Sequence, residues 1–154
     1  MCKKLPENYE KALEKWEKMT ITSDPMFGMV MQNKGRCLEL INRALRHLKA
    51  TQIVQLTTQK DINVVAGRRV RYDVYVQDED GNIIVIEMQV ADRQNLPYRL
   101  RYCQEQIDHG LLLPGKDYRD LSLHPTYVLM FCNFDYFGYG WARYVFEMAC
   151  TRNH

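Results

Sequence analysis

Arg69-Val70-Arg71-Tyr72-Asp73-Val74-Tyr75-Val76-Gln77-Asp78-Glu79-Asp80-Gly81-Asn82-Ile83-Ile84-Val85-Ile86-Glu87-Met88-Gln89-Val90 is the stretch that decides the fold. Its two flanks, Arg69 to Gln77 and Ile83 to Val90, are rich in Val, Ile and Tyr, which suit a pleated and buried surface. Asp78-Glu79-Asp80-Gly81-Asn82 between them carries turn chemistry, so the whole reads as an antiparallel hairpin. A three-residue loop, Glu79-Asp80-Gly81, with Gly81 in the left-handed position of a bulge, sets Asp78 against Asn82. The pairs then run Gln77 with Ile83, Tyr75 with Val85, Asp73 with Glu87 and Arg71 with Gln89. A two-residue Asp80-Gly81 loop instead puts Asp73 beside Met88 and parts the carboxylates, because a one-residue slip turns every side chain to the other face. The three-residue loop is preferred.

That register brings together two carboxylates fourteen residues apart in sequence. Like charges directly opposite one another on a sheet destabilise it unless something neutralises them. A hard divalent cation would do so, since two carboxylates, a backbone carbonyl and waters form the oxygen-only shell that Mg²⁺ prefers. The alternative is a solvated hairpin with Asp73 and Glu87 on its polar side.

Working outward, residues 6 to 19 read as a short amphipathic helix with Tyr9, Leu13 and Trp16 on a packing face. Ser23-Asp24-Pro25 supplies a cap and a proline at the first helical position, opening a helix expected to run to about Lys49 with Leu38, Ile41, Leu45 and Leu48 buried. Glu39 falls nearly opposite that stripe and reads as solvated. A strand near Ile53 to Thr58 precedes the hairpin, which is expected to be central because both its faces carry apolar residues. Pro97 opens a helix ending at Gly110, with Leu100, Cys103 and Ile107 as its core stripe and Arg99, Tyr102 and Gln106 on another face. Thr126 to Phe134 reads as a buried strand and Tyr139 to Met148 as a last edge strand. The aromatic group Phe131, Phe134, Tyr136, Phe137, Tyr139 and Trp141 reads as core and strand-end packing.

Composition narrows the function classes. The chain has 154 residues, 46% hydrophobic and 26% charged, which fits one ordinary globular domain, here taken as 1–154 with a helical extension at about 1–22. No apolar run approaches a membrane span and the N-terminal residues lack a signal-peptide core, so we expect a cytoplasmic protein. The five cysteines form no C-x-x-C pair and read as reduced thiols. The four histidines have no i, i+4 partner, which argues against zinc. Net charge is only +2, but Lys34, Arg36, Arg43, Arg46, Lys49, Lys60, Arg68, Arg69 and Arg71 face only Glu39 and Asp61 between positions 34 and 71. Such a local excess suits a phosphate backbone, although solvated helix faces carry similar runs. No phosphate-cradling Gly-rich loop and no Ser/His/Asp nucleophile is visible.

Asp73, then Glu87-Met88-Gln89, then Arg99 and Tyr102 within Tyr98-Arg99-Leu100-Arg101-Tyr102, resembles the signature of the PD-(D/E)XK nuclease family transposases, the group that includes the recombination-promoting Rpn nucleases. Asp24-Pro25-Met26-Phe27, Gly67 to Val76, Gly115-Lys116-Asp117-Tyr118-Arg119-Asp120-Leu121 and Phe131 to Phe137 fall in the family's order, so the resemblance spans about residues 20 to 150. It implies an α/β restriction-endonuclease-like αβββαβ core, a mixed central sheet flanked by helices. It also implies a metal-dependent DNA endonuclease. Asp73, Glu87 and the carbonyl of Met88 would hold Mg²⁺, with Mn²⁺ as a substitute; Gln89, Arg99 and Tyr102 would complete the catalytic set. Lys60, Arg68, Arg69 and Arg71 are the expected DNA contacts, with Lys60, Arg71 or Arg99 supplying charge to the phosphate. DNA is the implied partner, a homodimer is admitted, and no membrane is involved.

Two positions depart from the pattern. The wider superfamily ends its motif in Lys where this chain has Gln89, a residue usual in this family, and Gly28 stands where relatives commonly carry Lys. Many relatives continue into a further helical segment after the position of Cys150, so a minimal member without that tail is expected. The competing reading keeps the fold but makes the protein a weakly cleaving or inactive module that binds nucleic acid or protein. A binder of small anions has only the basic excess in its favour.

Overall fold

The computed structural model describes residues 7–62 and 69–149. The elements follow the order α1 (Glu7–Glu17), α2 (Asp24–Met31), α3 (Lys34–Ala44), β1 (Ile53–Ile62), β2 (Val70–Asp78), β3 (Ile83–Gln89), α4 (Leu96–Leu111), a 3₁₀ turn (Tyr118–Leu123) and β4 (Thr126–Cys132). The strands form one mixed sheet in the order β1-β2-β3-β4; β1/β2 and β2/β3 are antiparallel and β3/β4 parallel. This is a mixed α/β sheet flanked by helices, consistent with a restriction-endonuclease-like fold.

The hairpin takes the register of the three-residue loop. Tyr75 pairs with Val85 and Gln77 with Ile83, while Gly81 has φ +84°. Asp78 fixes the turn with its carboxylate, which accepts from the Asp80 and Asn82 N–H groups at 3.1 and 2.9 Å and from Asn82 Nδ2 at 2.7 Å. Next to it, Glu79 accepts from Thr51 N, Thr51 Oγ1 and Gln52 N, lashing the turn to the approach of β1.

Both faces of the hairpin are covered. Val74, Val76, Ile84 and Ile86 pack with Phe27, Met31, Cys37 and Ile41 of α2 and α3; Tyr72, Tyr75, Ile83 and Val85 pack with Cys103 and Ile107 of α4. At about 1.5–3 kcal/mol for each large apolar side chain fully buried, these two layers supply the main cohesion of the sheet. Among the described residues no helix is long and apolar enough to cross a membrane.

Several local expectations fail for visible reasons. The long helix from Asp24 to Lys49 is two helices, because Asn33 caps α3: its side chain accepts from Arg36 N at 3.1 Å and ends the run after α2. Tyr9, Leu13 and Trp16 of α1 are exposed rather than packed. No strand forms between Tyr139 and Met148. There Gly138 and Gly140 adopt φ +71° and +70°, and the Asp135 carboxylate accepts from both their N–H groups and from the Tyr144 hydroxyl, so the chain curls. Tyr139 and Trp141 are correspondingly exposed and contact each other rather than a core. Glu39 is solvated as expected and pairs with Arg43.

Candidate active site at the end of the hairpin

The β2/β3 ladder stops at Val74 and Ile86, one rung short of Asp73 and Glu87. Beyond it the two carboxylates replace backbone acceptors. Glu87 Oε1 accepts from the N–H of Asp73 at 3.1 Å, and Asp73 Oδ2 accepts from the N–H of Met88 at 2.9 Å. Each acid is therefore held by the opposite strand. A strand residue sends its N–H and C=O toward the same edge. The Met88 carbonyl thus faces the gap that its N–H enters toward Asp73.

Arg99, in the first turns of α4, closes the site. Its Nη2 donates to Glu87 Oε2 and its Nη1 to Gln89 Oε1 at 2.8 Å; Gln89 Nε2 in turn donates to the Ala91 carbonyl at 3.2 Å. Glu87 is completely buried and Gln89 nearly so, while the Arg99 side chain stays 38% exposed. The guanidinium fork thus spans two residues of the Glu87-Met88-Gln89 motif. Tyr102 lies one turn further along α4 and is half-buried.

Burial pushes the Glu87 carboxyl up to about 7, and the charge of Asp73 adds to this against the opposing pull of Arg99 and the Asp73 N–H. Burial makes the charged form of Glu87 costly even beside the guanidinium, and a cation bound there would offset that cost. Asp73, Glu87 and the Met88 carbonyl are hard oxygen donors, matching a divalent ion rather than a soft one. Among the described residues no group of three or more His, Cys, Asp or Glu is placed to hold a metal ion, so a backbone oxygen and water would have to complete the shell.

The basic residues are dispersed. Lys60 lies 3.1 Å from the centre of the Tyr75 ring, and burial lowers its proton affinity. Arg71 does not face Gln89; it is exposed and donates to Asp61 at 2.9 Å. Arg69 is exposed just before β2, and Arg68 lies outside the described residues. Two neighbours, Cys103 and Tyr72, were not read as part of the site. Cys103 sits close enough for burial and Glu87 to push its thiol up to about 11, and the Tyr72 hydroxyl donates to the Cys103 carbonyl at 3.0 Å, tying β2 to α4. Helical spacing did mark Cys103 as buried, but nothing in the sequence marked Tyr72 as its partner. A groove of about 1540 Å³ between α4, β4 and the segment after β4 is lined by none of Asp73, Glu87, Gln89, Arg99 or Tyr102.

The geometry of two strand-borne acids and a helix-borne arginine agrees with the family comparison, in which the model for PD-(D/E)XK nuclease family transposases matches residues 25–149. The chain belongs to this family. No curated protein and no solved structure matches it. Membership gives it a nuclease-type domain, in a class that generally uses divalent metal ions and acts on DNA.

Proposed function

We propose that this chain is a Mg²⁺-dependent DNA endonuclease of the transposase and recombination-promoting type, acting as a single nuclease-like domain. The observation that carries the reading is the reciprocal arrangement of Asp73 and Glu87, in which backbone N–H groups orient both acids into one gap with the Arg99 guanidinium beside Glu87. Asp73, Glu87 and the Met88 carbonyl would hold the ion, which supplies Lewis acidity at the phosphate and a more acidic bound water. The protein's own groups do the rest. Met88 N–H fixes the rotamer of Asp73, and Asp73 N–H fixes that of Glu87. Gln89 has no charge to give and no useful basicity, so its role is to orient water through its amide. Arg99 offers a planar fork able to exchange Glu87 and Gln89 for two phosphate oxygens, stabilising charge that develops in the transition state. Tyr102 presents its hydroxyl on the same helix, and Lys60, Arg68, Arg69 and Arg71 are the proposed contacts to the DNA backbone.

A second reading has one observation behind it. Gln89 is held by Arg99 where the wider superfamily places a lysine, so the site lacks that cation at its motif. The protein would then be a nuclease-fold module that binds without efficient cleavage. Calorimetry with Mg²⁺ and Mn²⁺ together with a plasmid-nicking assay separates the two. Nicking that requires the ion and disappears in Asp73→Asn supports the enzyme; ion binding without nicking supports the module, and nicking that persists in excess chelator refutes the metal assignment.

A further inference from the structure

Gln59 in β1 adopts φ +55°, a left-handed conformation that a non-glycine residue rarely takes inside a strand. It stands opposite Asp73. The β1/β2 ladder pairs Thr58 with Val74 and Lys60 with Tyr72, but the rung between them, Gln59 and Asp73, is missing while the register on either side is the same. The side chains reveal what happens at that rung. Val74 packs toward α2 and α3, so strict alternation would send Tyr72 the same way; instead Tyr72 joins Tyr75 in the cluster against α4, the two rings stacked 6.5 Å apart. In β1, Thr58 meets Gln32 next to α2, whereas Lys60, two residues on, reaches over Tyr75 on the α4 side. Both strands have reset their alternation at one shared rung.

We propose that Gln59 is a positioning residue: its left-handed backbone makes the paired reset that seats Asp73 against Met88 and turns Tyr72 beneath α4, the helix that carries Arg99. The side chain of Gln59 is exposed, so the backbone conformation rather than a side-chain contact carries the effect. With an extended residue at position 59, Tyr72 would face α2 and α3 and lose its bond to Cys103, and Asp73 would rejoin the regular ladder instead of receiving the Met88 N–H. The part of the inference that concerns metal rests on the proposed function; the part that concerns Asp73 and Met88 does not.

The test compares Gln59→Gly and Gln59→Asn, which accept positive φ, with Gln59→Val, which resists it. Amide hydrogen exchange of the full chain in chelator reads the geometry, and Mn²⁺ calorimetry reads the site. Gly and Asn variants should match wild type, with affinity within about threefold and a melting temperature equal or slightly higher for Gly. Gln59→Val should exchange the Met88 and Asp73 amides faster and bind Mn²⁺ more weakly, each by on the order of tenfold, the size expected of local backbone strain. Gln59→Thr replaces it if the Val protein does not fold. A Val or Thr protein that only melts earlier, with wild-type exchange at Met88 and wild-type affinity per folded molecule, overturns the proposal. Wild type that binds no Mn²⁺ while the amides follow the expected order removes the metal reading and leaves the positioning role standing.

Discussion

Replacing Glu87 by Gln isolates the electrostatic strain of a buried carboxylate. In the unfolded chain this carboxyl titrates near its ordinary value of 4.5, whereas in the folded protein burial, reinforced by Asp73, holds its proton up to about 7. Between these values the folded state binds more protons than the unfolded one, so stability falls as pH rises through the window. The contribution is fully present below 4.5 and gone above about 7. At 1.36 kcal/mol per pH unit, the shift corresponds to about 3 kcal/mol. Glu87→Gln keeps the shape and an acceptor for the Asp73 N–H but carries no charge. In chelator at about pH 8 it should therefore be more stable than wild type by about 3 kcal/mol, or roughly 6–12 °C in melting temperature, and the gap should close toward about pH 4.5. Thermal and urea unfolding of both proteins across that range measures it. Parallel stability profiles for wild type and Glu87→Gln would refute the reasoning. Mg²⁺ added at the alkaline end should recover stability in wild type and not in the variant.

Four further outcomes follow from the same contacts. Asp73→Asn, which retains an oxygen for Met88 N–H, should fold within about 1 kcal/mol of wild type and lose ion-dependent nicking. Arg99→Lys keeps one charge but cannot hold Glu87 and Gln89 together, so melting should fall by a few degrees and nicking by roughly tenfold or more; a fully active variant would remove Arg99 from the chemistry. Gln89→Ala should cost about tenfold to a thousandfold in cleavage if its amide orients water, and an unchanged rate would place it outside the reaction. In the turn, Asp78→Ala strands two backbone donors and the Asn82 amide and should cost about 2–4 kcal/mol by urea unfolding.

The hairpin was legible because its signals are local and mutually consistent: β-branched runs, a glycine where positive φ is needed, and a period that fixes facing pairs. The reading failed where one polar side chain redirected the backbone. Asn33 interrupts an otherwise continuous apolar helical pattern by capping α3, and Asp135 gathers three donors from a segment whose aromatic residues suggest a strand. Of the candidate site, Asp73 and Glu87 were legible from strand register alone, whereas Gln89 and Arg99 were expected only from the resemblance to the family; Arg99 lies against both Glu87 and Gln89. Arg71 was misplaced for a different reason. Strand periodicity assumes unbroken alternation, and the reset at Gln59 and Asp73 carries no mark in composition; a glutamine is not the residue type that advertises positive φ.

The connector from Val90 to Asn95 has a consequence for how such a site can be remodelled. β3 and α4 are each fixed by their own packing, so this short link is the segment through which the acid on the strand and the arginine on the helix are spaced. An insertion there would shift the guanidinium relative to Glu87 only by sliding α4 on the sheet, moving Cys103 and Ile107 with it. The link is already turned tightly, with Gln94 at φ +54° and its N–H and side-chain amide both donating to Asp92. Its length therefore couples the charge balance of the site to the seat of α4, and grafting connectors of different length between the same two elements would vary both together.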